Sequence, residues 1–182
     1  MHPMTVGHLQ SAFSGESQAP RRYLAYGDRA GRDGFANVAR LFSAIAFAEQ
    51  VHASNHFRQL RDERGAALTV AHAGFGLGPT ASNLDIAIGG ETFEVTEMYP
   101  VYKAAATLQQ EAGAERSFDW ARQAEMTHAA LFGQAKEAVQ AGKDLAIGVV
   151  HVCDNCGHTV TGEAPERCPI CNVTRDRYRA FA

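Results

Sequence analysis

Val38–His56 reads VARLFSAIAFAEQVHASNH, and an apolar stripe runs along it at helical spacing. Val38, Leu41, Phe42 and Ile45 are followed at steps of four, three and four by Glu49, His52 and His56. A carboxylate and two imidazoles therefore occupy positions that the stripe assigns to a core. Ala121–Val139, ARQAEMTHAALFGQAKEAV, repeats the arrangement with Ala121, Glu125, His128, Phe132, Ala135 and Val139. Two further stripes carry acids as well: Leu9, Phe13, Glu16, Pro20 and Tyr23, and then Glu94, Glu97, Val101, Ala105 and Leu108.

The stretch from 5 to about 145 is rich in Ala, Leu, Glu, Gln and Arg, and its periodicity predicts helices near 5–30, 34–62, 92–112 and 118–141. Asp33 and Ser117 are the expected N-caps of the second and fourth. A long Gly-containing connection, about 65–90, separates the second and third helices, whereas the other two connections are short. Two tight helical hairpins joined by one long crossover give an all-α, ferritin-like four-helix bundle. Pro20 and Pro100 each remove a helix-interior hydrogen bond and are expected to disturb their helices. After about residue 146 the helical period stops, and Val, Cys, Gly and Pro dominate. The expected division is a bundle over 1–146 and a small second domain over 147–182.

Each helix thus aims at least one carboxylate inward. An unpaired carboxylate in a core costs several kcal/mol unless it is neutralised, and too few Lys or Arg face inward here. Metal ions would neutralise it directly. Two Glu-x-x-His pairs, Glu49/His52 and Glu125/His128, with single carboxylates from the other two helices, have the composition of a di-iron site. Oxygen-rich ligation with a few imidazoles suits iron or manganese better than a soft metal, with zinc a possible substitute. Glu91 is read as a first-turn acid that favours the helix dipole, and is left out. His56 is read as a hydrogen-bonded core histidine or a support for the ligands. His2, His8, His72 and His151 carry no pattern and are read as structural or exposed.

Cys153-Asp-Asn-Cys156-Gly157 and, eleven residues after Gly157, Cys168-Pro-Ile-Cys171 form two C-x-x-C knuckles. At this separation they make one tetrahedral thiolate site for a single iron or zinc. A structural zinc ribbon is the rival reading, and two disulfides would be strained. The module is too small to fold by burial alone, so its metal contributes to folding.

The 182 residues carry a net charge of −3 with no long basic run, which argues against nucleic acid and acidic membrane partners. No stretch approaches the roughly 20 apolar residues of a membrane span. The start, Met1-His2-Pro3-Met4-Thr5, lacks the pattern of a signal peptide, so a cytoplasmic protein is expected.

Taken together, the sequence resembles the rubrerythrin family over essentially its whole length. The resemblance rests on Gly15-Glu16-Ser17, Glu49-x-x-His52, the segment Gly90-Glu91-Thr92-Phe93-Glu94-Val95-Thr96-Glu97-Met98-Tyr99-Pro100, and Glu125-x-x-His128. The tail is similar to a rubredoxin centre through C-x-x-C-G, Gly162, Pro165 and C-P-x-C. The resemblance implies Glu16, Glu49, His52, Glu94, Glu97, Glu125 and His128 as di-iron ligands, with Glu49 and Glu125 bridging. It implies that Glu97 and His52 exchange as ligands of one iron, and that Tyr23 and Tyr102 lie beside the cluster. The implied activity is reduction of hydrogen peroxide to water, with electrons from a cysteine-bound iron supplied by a reductase or another rubredoxin. Head-to-tail homodimers, in which one subunit's cysteine site approaches the other's bundle, are implied as well. An iron-oxidising bundle, or a zinc ribbon on a structural bundle, are the alternatives. His151 and His158 stand where the family commonly has aromatics, and Pro20 is another departure.

Overall fold

A computed structural model describes residues 1–182. Helix α1 spans Pro3–Arg32 and α2 spans Ala36–Gln59; α3 covers Thr80–Phe93 and α4 Tyr99–Leu108, separated by a π-helical turn, Glu94–Met98. Helix α5 covers Ala112–Gln140. With α3, the π turn and α4 acting as one rod, four helical rods form the ferritin-like bundle, closed within one chain. Strands β1 (Val150–Cys153), β2 (Thr159–Thr161) and β3 (Tyr178–Phe181) make an antiparallel sheet in the order β2-β1-β3.

The third rod differs most from the expected 92–112. It begins at Thr80, twelve residues earlier, so the structureless part of the crossover ends by Pro79. Gly89 and Gly90 do not interrupt it, because Leu84, Ala87 and Glu91 continue a buried stripe at steps of three and four. The π turn then adds a residue per turn and rotates everything after it, so Tyr99 faces inward while Glu97 faces solvent. Pro100 falls just after that turn, at the start of α4. Pro20 does not break α1, which runs 30 residues through it.

The two expected N-caps are replaced. Asp33 is instead the C-cap of α1, and its carboxylate accepts from the Thr80 backbone N–H at 3.1 Å and hydroxyl at 2.7 Å, closing the start of α3. Helix α2 is capped by Asp144, which accepts from Asn37 N–H at 2.8 Å and Val38 N–H at 3.3 Å. Ser117 lies inside α5, which begins at Ala112, and its hydroxyl serves a buried histidine.

Two apolar layers fill the bundle. One contains Tyr23, Tyr26, Phe42 and Phe132, and the other Leu9, Leu60, Tyr99 and Phe118. The carboxylates lie between them. The cysteine module sits on its own chain's bundle: Val150 and Val152 pack on Ala44 and Ala48, beside Phe47 and Phe181. Arg40 donates to the Ile147 and Gly148 carbonyls at 3.0 Å, and the Asn55 side-chain amide to the Asn155 carbonyl at 2.8 Å. The approach of cysteine site to bundle, which the family resemblance implied between subunits, here occurs within one chain. No helix is long and apolar enough to cross a membrane.

Candidate metal centres

Glu49 and His52 share a face of α2, and Glu125 and His128 share a face of α5, because residues three apart stand one above the other. The two pairs meet across the bundle axis. His52 Nδ1 lies 3.0 Å from Glu49 Oε2 and 2.7 Å from Glu125 Oε1; His128 Nδ1 lies 3.2 Å from Glu49 Oε1 and 2.6 Å from Glu125 Oε2. Each of these carboxylates therefore turns one oxygen toward each imidazole. Glu16 closes the His52 side at 3.7 Å and Glu91 closes the His128 side at 3.5 Å. Two overlapping groups result, Glu16/Glu49/His52/Glu125 and Glu49/Glu91/Glu125/His128, each with ligand atoms within 4.8 Å of one another. All six residues are buried.

The outer nitrogens explain how the inner ones are aimed. His52 Nε2 is 3.1 Å from the Cys156 carbonyl, which can only accept, so Nε2 carries the hydrogen. His128 Nε2 is 2.9 Å from the Thr159 hydroxyl, whose own hydrogen is given to the Gly157 carbonyl at 3.0 Å. Both histidines thus donate outward to the cysteine module, leaving Nδ1 as the inward-facing atom. Oxygens of Glu16, Glu49, Glu91 and Glu125 converge on the same space without hydrogen-bond partners. Two imidazole nitrogens facing four unpartnered buried carboxylate oxygens are suited to a pair of hard or borderline cations.

The charges show what the cluster must do without such cations. Burial, followed by the charges of Glu49 and Glu125, raises the Glu16 carboxyl well above its ordinary range. Burial and Glu125 raise Glu91 to about 8. Burial opposes ionisation of Glu125, but His52 and His128 outweigh it and hold this carboxyl below its usual value. Burial also opposes protonation of His52 and His128, yet Glu125 outweighs it and raises both. Protons thus occupy the centre when cations do not.

Two expected site residues lie elsewhere. Glu97 is exposed on the π turn and belongs to neither group, and Tyr102 donates to Ser11 Oγ at 3.1 Å while stacking on His8. The reason is the register of the third rod. Because α3 begins at Thr80, Glu91 lies deep inside the helix rather than in its first turn, and it is 0% exposed. Glu94 is half-buried and outside the two groups, though burial and the charges of Glu16 and Glu125 raise its carboxyl. Tyr23 donates to Glu91 Oε1 at 2.5 Å, and Tyr99, rather than Tyr102, donates to Glu16 Oε1. His56 belongs to neither group: its Nε2 is 3.0 Å from the Tyr99 hydroxyl.

The thiols of Cys153, Cys156, Cys168 and Cys171 form the second centre. The Cys153–Cys171 and Cys156–Cys168 sulfur separations are 3.6 and 3.5 Å. A disulfide needs about 2.05 Å, whereas a tetrahedron with metal–sulfur bonds of about 2.3 Å has edges near 3.8 Å. The four sulfurs therefore fit one ion and not two disulfides. His158, at a position where the family commonly has an aromatic, bonds the Tyr178 hydroxyl through Nδ1 at 2.7 Å. The one tryptophan, Trp120 of α5, packs against this cluster.

Comparison with known proteins agrees with this architecture. The rubrerythrin family profile matches residues 8–136, and the profile "Rubrerythrin, rubredoxin-like domain" matches residues 151–179. Rubrerythrin-2 of Clostridium acetobutylicum is 44% identical over 178 residues, covering 98% of this chain and 97% of the relative. Nigerythrin of Nitratidesulfovibrio vulgaris is 30% identical, covering 97% and 86%. A solved structure described as the fully reduced, all-ferrous state of nigerythrin superposes with a TM-score of 0.85 at 29% identity, again covering 97% and 86%. The chain belongs to the rubrerythrin family, with a di-iron carboxylate site in its helical bundle and a rubredoxin-like four-cysteine site in its C-terminal sheet.

Proposed function

We propose that the protein is a peroxidase that reduces hydrogen peroxide to water at the bundle centre, with electrons entering through the four-cysteine site. The observation that carries this reading is the direct contact between the centres, His52 Nε2–H to the Cys156 carbonyl. A thiolate residue of one site and an imidazole of the other share one hydrogen bond. In this reading Glu16, Glu49, His52, Glu91, Glu125 and His128 would hold two irons, Glu49 and Glu125 being the carboxylates that turn one oxygen toward each imidazole. Manganese or zinc are possible substitutes. Cys153, Cys156, Cys168 and Cys171 hold one iron, or zinc.

A pair of ferrous ions held there would supply the two electrons and the charge stabilisation that cleavage of the O–O bond needs. The protein holds and shields this chemistry. Hydrogen peroxide, two protons and two electrons give two waters, so the chain must admit peroxide, supply protons and keep bulk water from the centre. Between α1 and α2 a groove of about 430 Å³, lined by Glu16, Ser17, Pro20, Arg21, Gln50 and Ser54 among others, gives a small polar molecule an approach to Glu16. Tyr23 and Tyr99 fix the carboxylates of Glu91 and Glu16 through their hydroxyls and stand ready as proton donors. The proposed assembly is a homodimer, and the exposed Leu68, Val70, Phe75 and Leu77 of the crossover offer it apolar surface. The electron source is a redox protein, either a reductase or a rubredoxin.

The test is iron counting and visible absorption, followed by peroxide added to the reduced protein without air. Rapid reoxidation with two electrons consumed per peroxide supports the reading. Iron-loaded protein that stays reduced contradicts it.

A further inference from the structure

We propose that Ser117, His56 and Tyr99 form a proton inlet running from a surface cavity to the edge of the carboxylate cluster. This inference deepens the peroxidase reading and rests on it for the use of the protons. A cavity of about 120 Å³ between α2 and α5 is lined by Asn55, Gln59, Gly113, Arg116, Ser117 and Trp120. Inward from it, the Ser117 hydroxyl lies 2.8 Å from His56 Nδ1, and His56 Nε2 lies 3.0 Å from the Tyr99 hydroxyl. Tyr99 in turn donates to Glu16 Oε1.

The hydrogens of this chain all point the same way. The Tyr99 hydrogen is committed to Glu16, so its oxygen accepts from His56 Nε2–H. Nδ1 of the neutral ring is then an acceptor, and Ser117 is its donor. The order Ser117 to His56 to Tyr99 to Glu16 is a relay oriented inward. Its surroundings are dry: Phe118 packs on both rings, at 5.4 Å from His56 and 6.1 Å from Tyr99, and His56 and Tyr99 are 0% exposed. Only Ser117, at the cavity, touches its opening. Three linked polar side chains in an apolar layer are more costly than apolar residues of the same shape, so packing alone does not require them.

Each passage moves one proton and no electrons. Cavity water gives a proton to Ser117 Oγ as Ser117 gives its own to His56 Nδ1. His56 releases the Nε2 proton to the Tyr99 oxygen, and Tyr99 releases its hydrogen at the cluster. Rotation of the ring and hydroxyls restores the starting order. The cavity opens between α2 and α5, whereas the groove beside Glu16 opens between α1 and α2, so protons and peroxide have separate entrances.

The test uses Ser117→Ala, which removes the outer link with little change in packing, and Ser117→Thr, which restores a hydroxyl. In the reduced, iron-loaded protein, peroxide-driven proton uptake followed with a pH-indicator dye should slow at least about tenfold in Ser117→Ala and recover in Ser117→Thr. Iron content should be unchanged. In metal-free protein, exchange of the His56 ring N–H with solvent, read by nitrogen-15 NMR, should slow in Ser117→Ala and recover in Ser117→Thr. Unchanged exchange and uptake in Ser117→Ala would overturn the inlet. Should peroxide fail to oxidise the unmodified protein, the peroxidase reading fails, and the exchange rates still decide the inlet.

Discussion

Gly157→Ala isolates the contact between the two centres. Gly157 has φ of +83°, and a methyl group on it would lie 2.0 Å from His52 Nε2. Ordinary contact begins at 3.4 Å, so the knuckle must retreat by about 1.4 Å. Such a retreat stretches the 3.1 Å bond between His52 and the Cys156 carbonyl to about 4.5 Å, beyond hydrogen-bond range. The left-handed backbone costs about 1–2 kcal/mol. An unpaired buried donor on His52 adds about 1–3 kcal/mol. The backbone cost is the same for docked and undocked knuckle, so the lost bond is what disfavours the docked module, by about 1–3 kcal/mol, or roughly 5-fold to 160-fold. Gly162→Ala is the control, since Gly162 has φ of +84° but nothing lies within 4 Å of an added methyl. Stopped-flow absorption should show the cysteine centre reducing the bundle centre much more slowly in Gly157→Ala, and near the unmodified rate in Gly162→Ala. Trp120 fluorescence should report the loosened module, because this side chain packs on the cysteine cluster. Equal transfer rates in both variants, with iron retained, would refute the reasoning.

Other outcomes follow from the same geometry. Glu91→Ala should lower the iron bound by the bundle while Glu97→Ala leaves it unchanged, as counted by elemental analysis, because Glu91 is buried in the cluster and Glu97 faces solvent. In metal-free protein, Glu16, Glu91, Glu94, His52 and His128 all hold protons more tightly than when unfolded, Glu91 up to about 8. Their contribution is complete below the unfolded values and is lost as pH rises through the folded ones; Glu125 acts oppositely, but only in acid. Thermal melts of metal-free protein should therefore fall between about pH 5 and pH 8, and iron loading should abolish the trend. Asp144→Ala removes the acceptor at the start of α2 and should cost about 1 kcal/mol in denaturant unfolding of the loaded protein.

Helical periodicity made the bundle legible, because Leu9 to Tyr23, Val38 to His56 and Ala121 to Val139 each keep one buried face through a long, regular helix. The thiol site was equally legible, since knuckle spacing alone brings four sulfurs together. What the stripes concealed lies in the third rod. Residues 80–90 read as part of the Gly-containing connection, yet Leu84, Ala87 and Glu91 already carry the inward face that places Glu91 in the cluster. The π turn has no periodicity of its own, so the stripe Glu94, Glu97, Val101 read through it turns Glu97 inward, where the structure has Glu91; Tyr102, placed beside the cluster by the family resemblance, gives way to Tyr99. The caps were hidden for a different reason: Asp144 and Asp33 act across the fold, on helices they do not begin. Likewise, nothing in the spacing of Ser117, His56 and Tyr99 joins them before the helices pack.

Anaerobic stopped-flow mixing of the fully reduced, iron-loaded protein with one equivalent of hydrogen peroxide is the most direct measurement of the central claim, with the visible absorption of both centres followed together. The expected result is two electrons consumed per peroxide, the bundle centre oxidising first and the cysteine centre following at a rate independent of protein concentration. A cysteine centre that stays reduced while the bundle centre oxidises, or a reduced protein indifferent to peroxide, would contradict it.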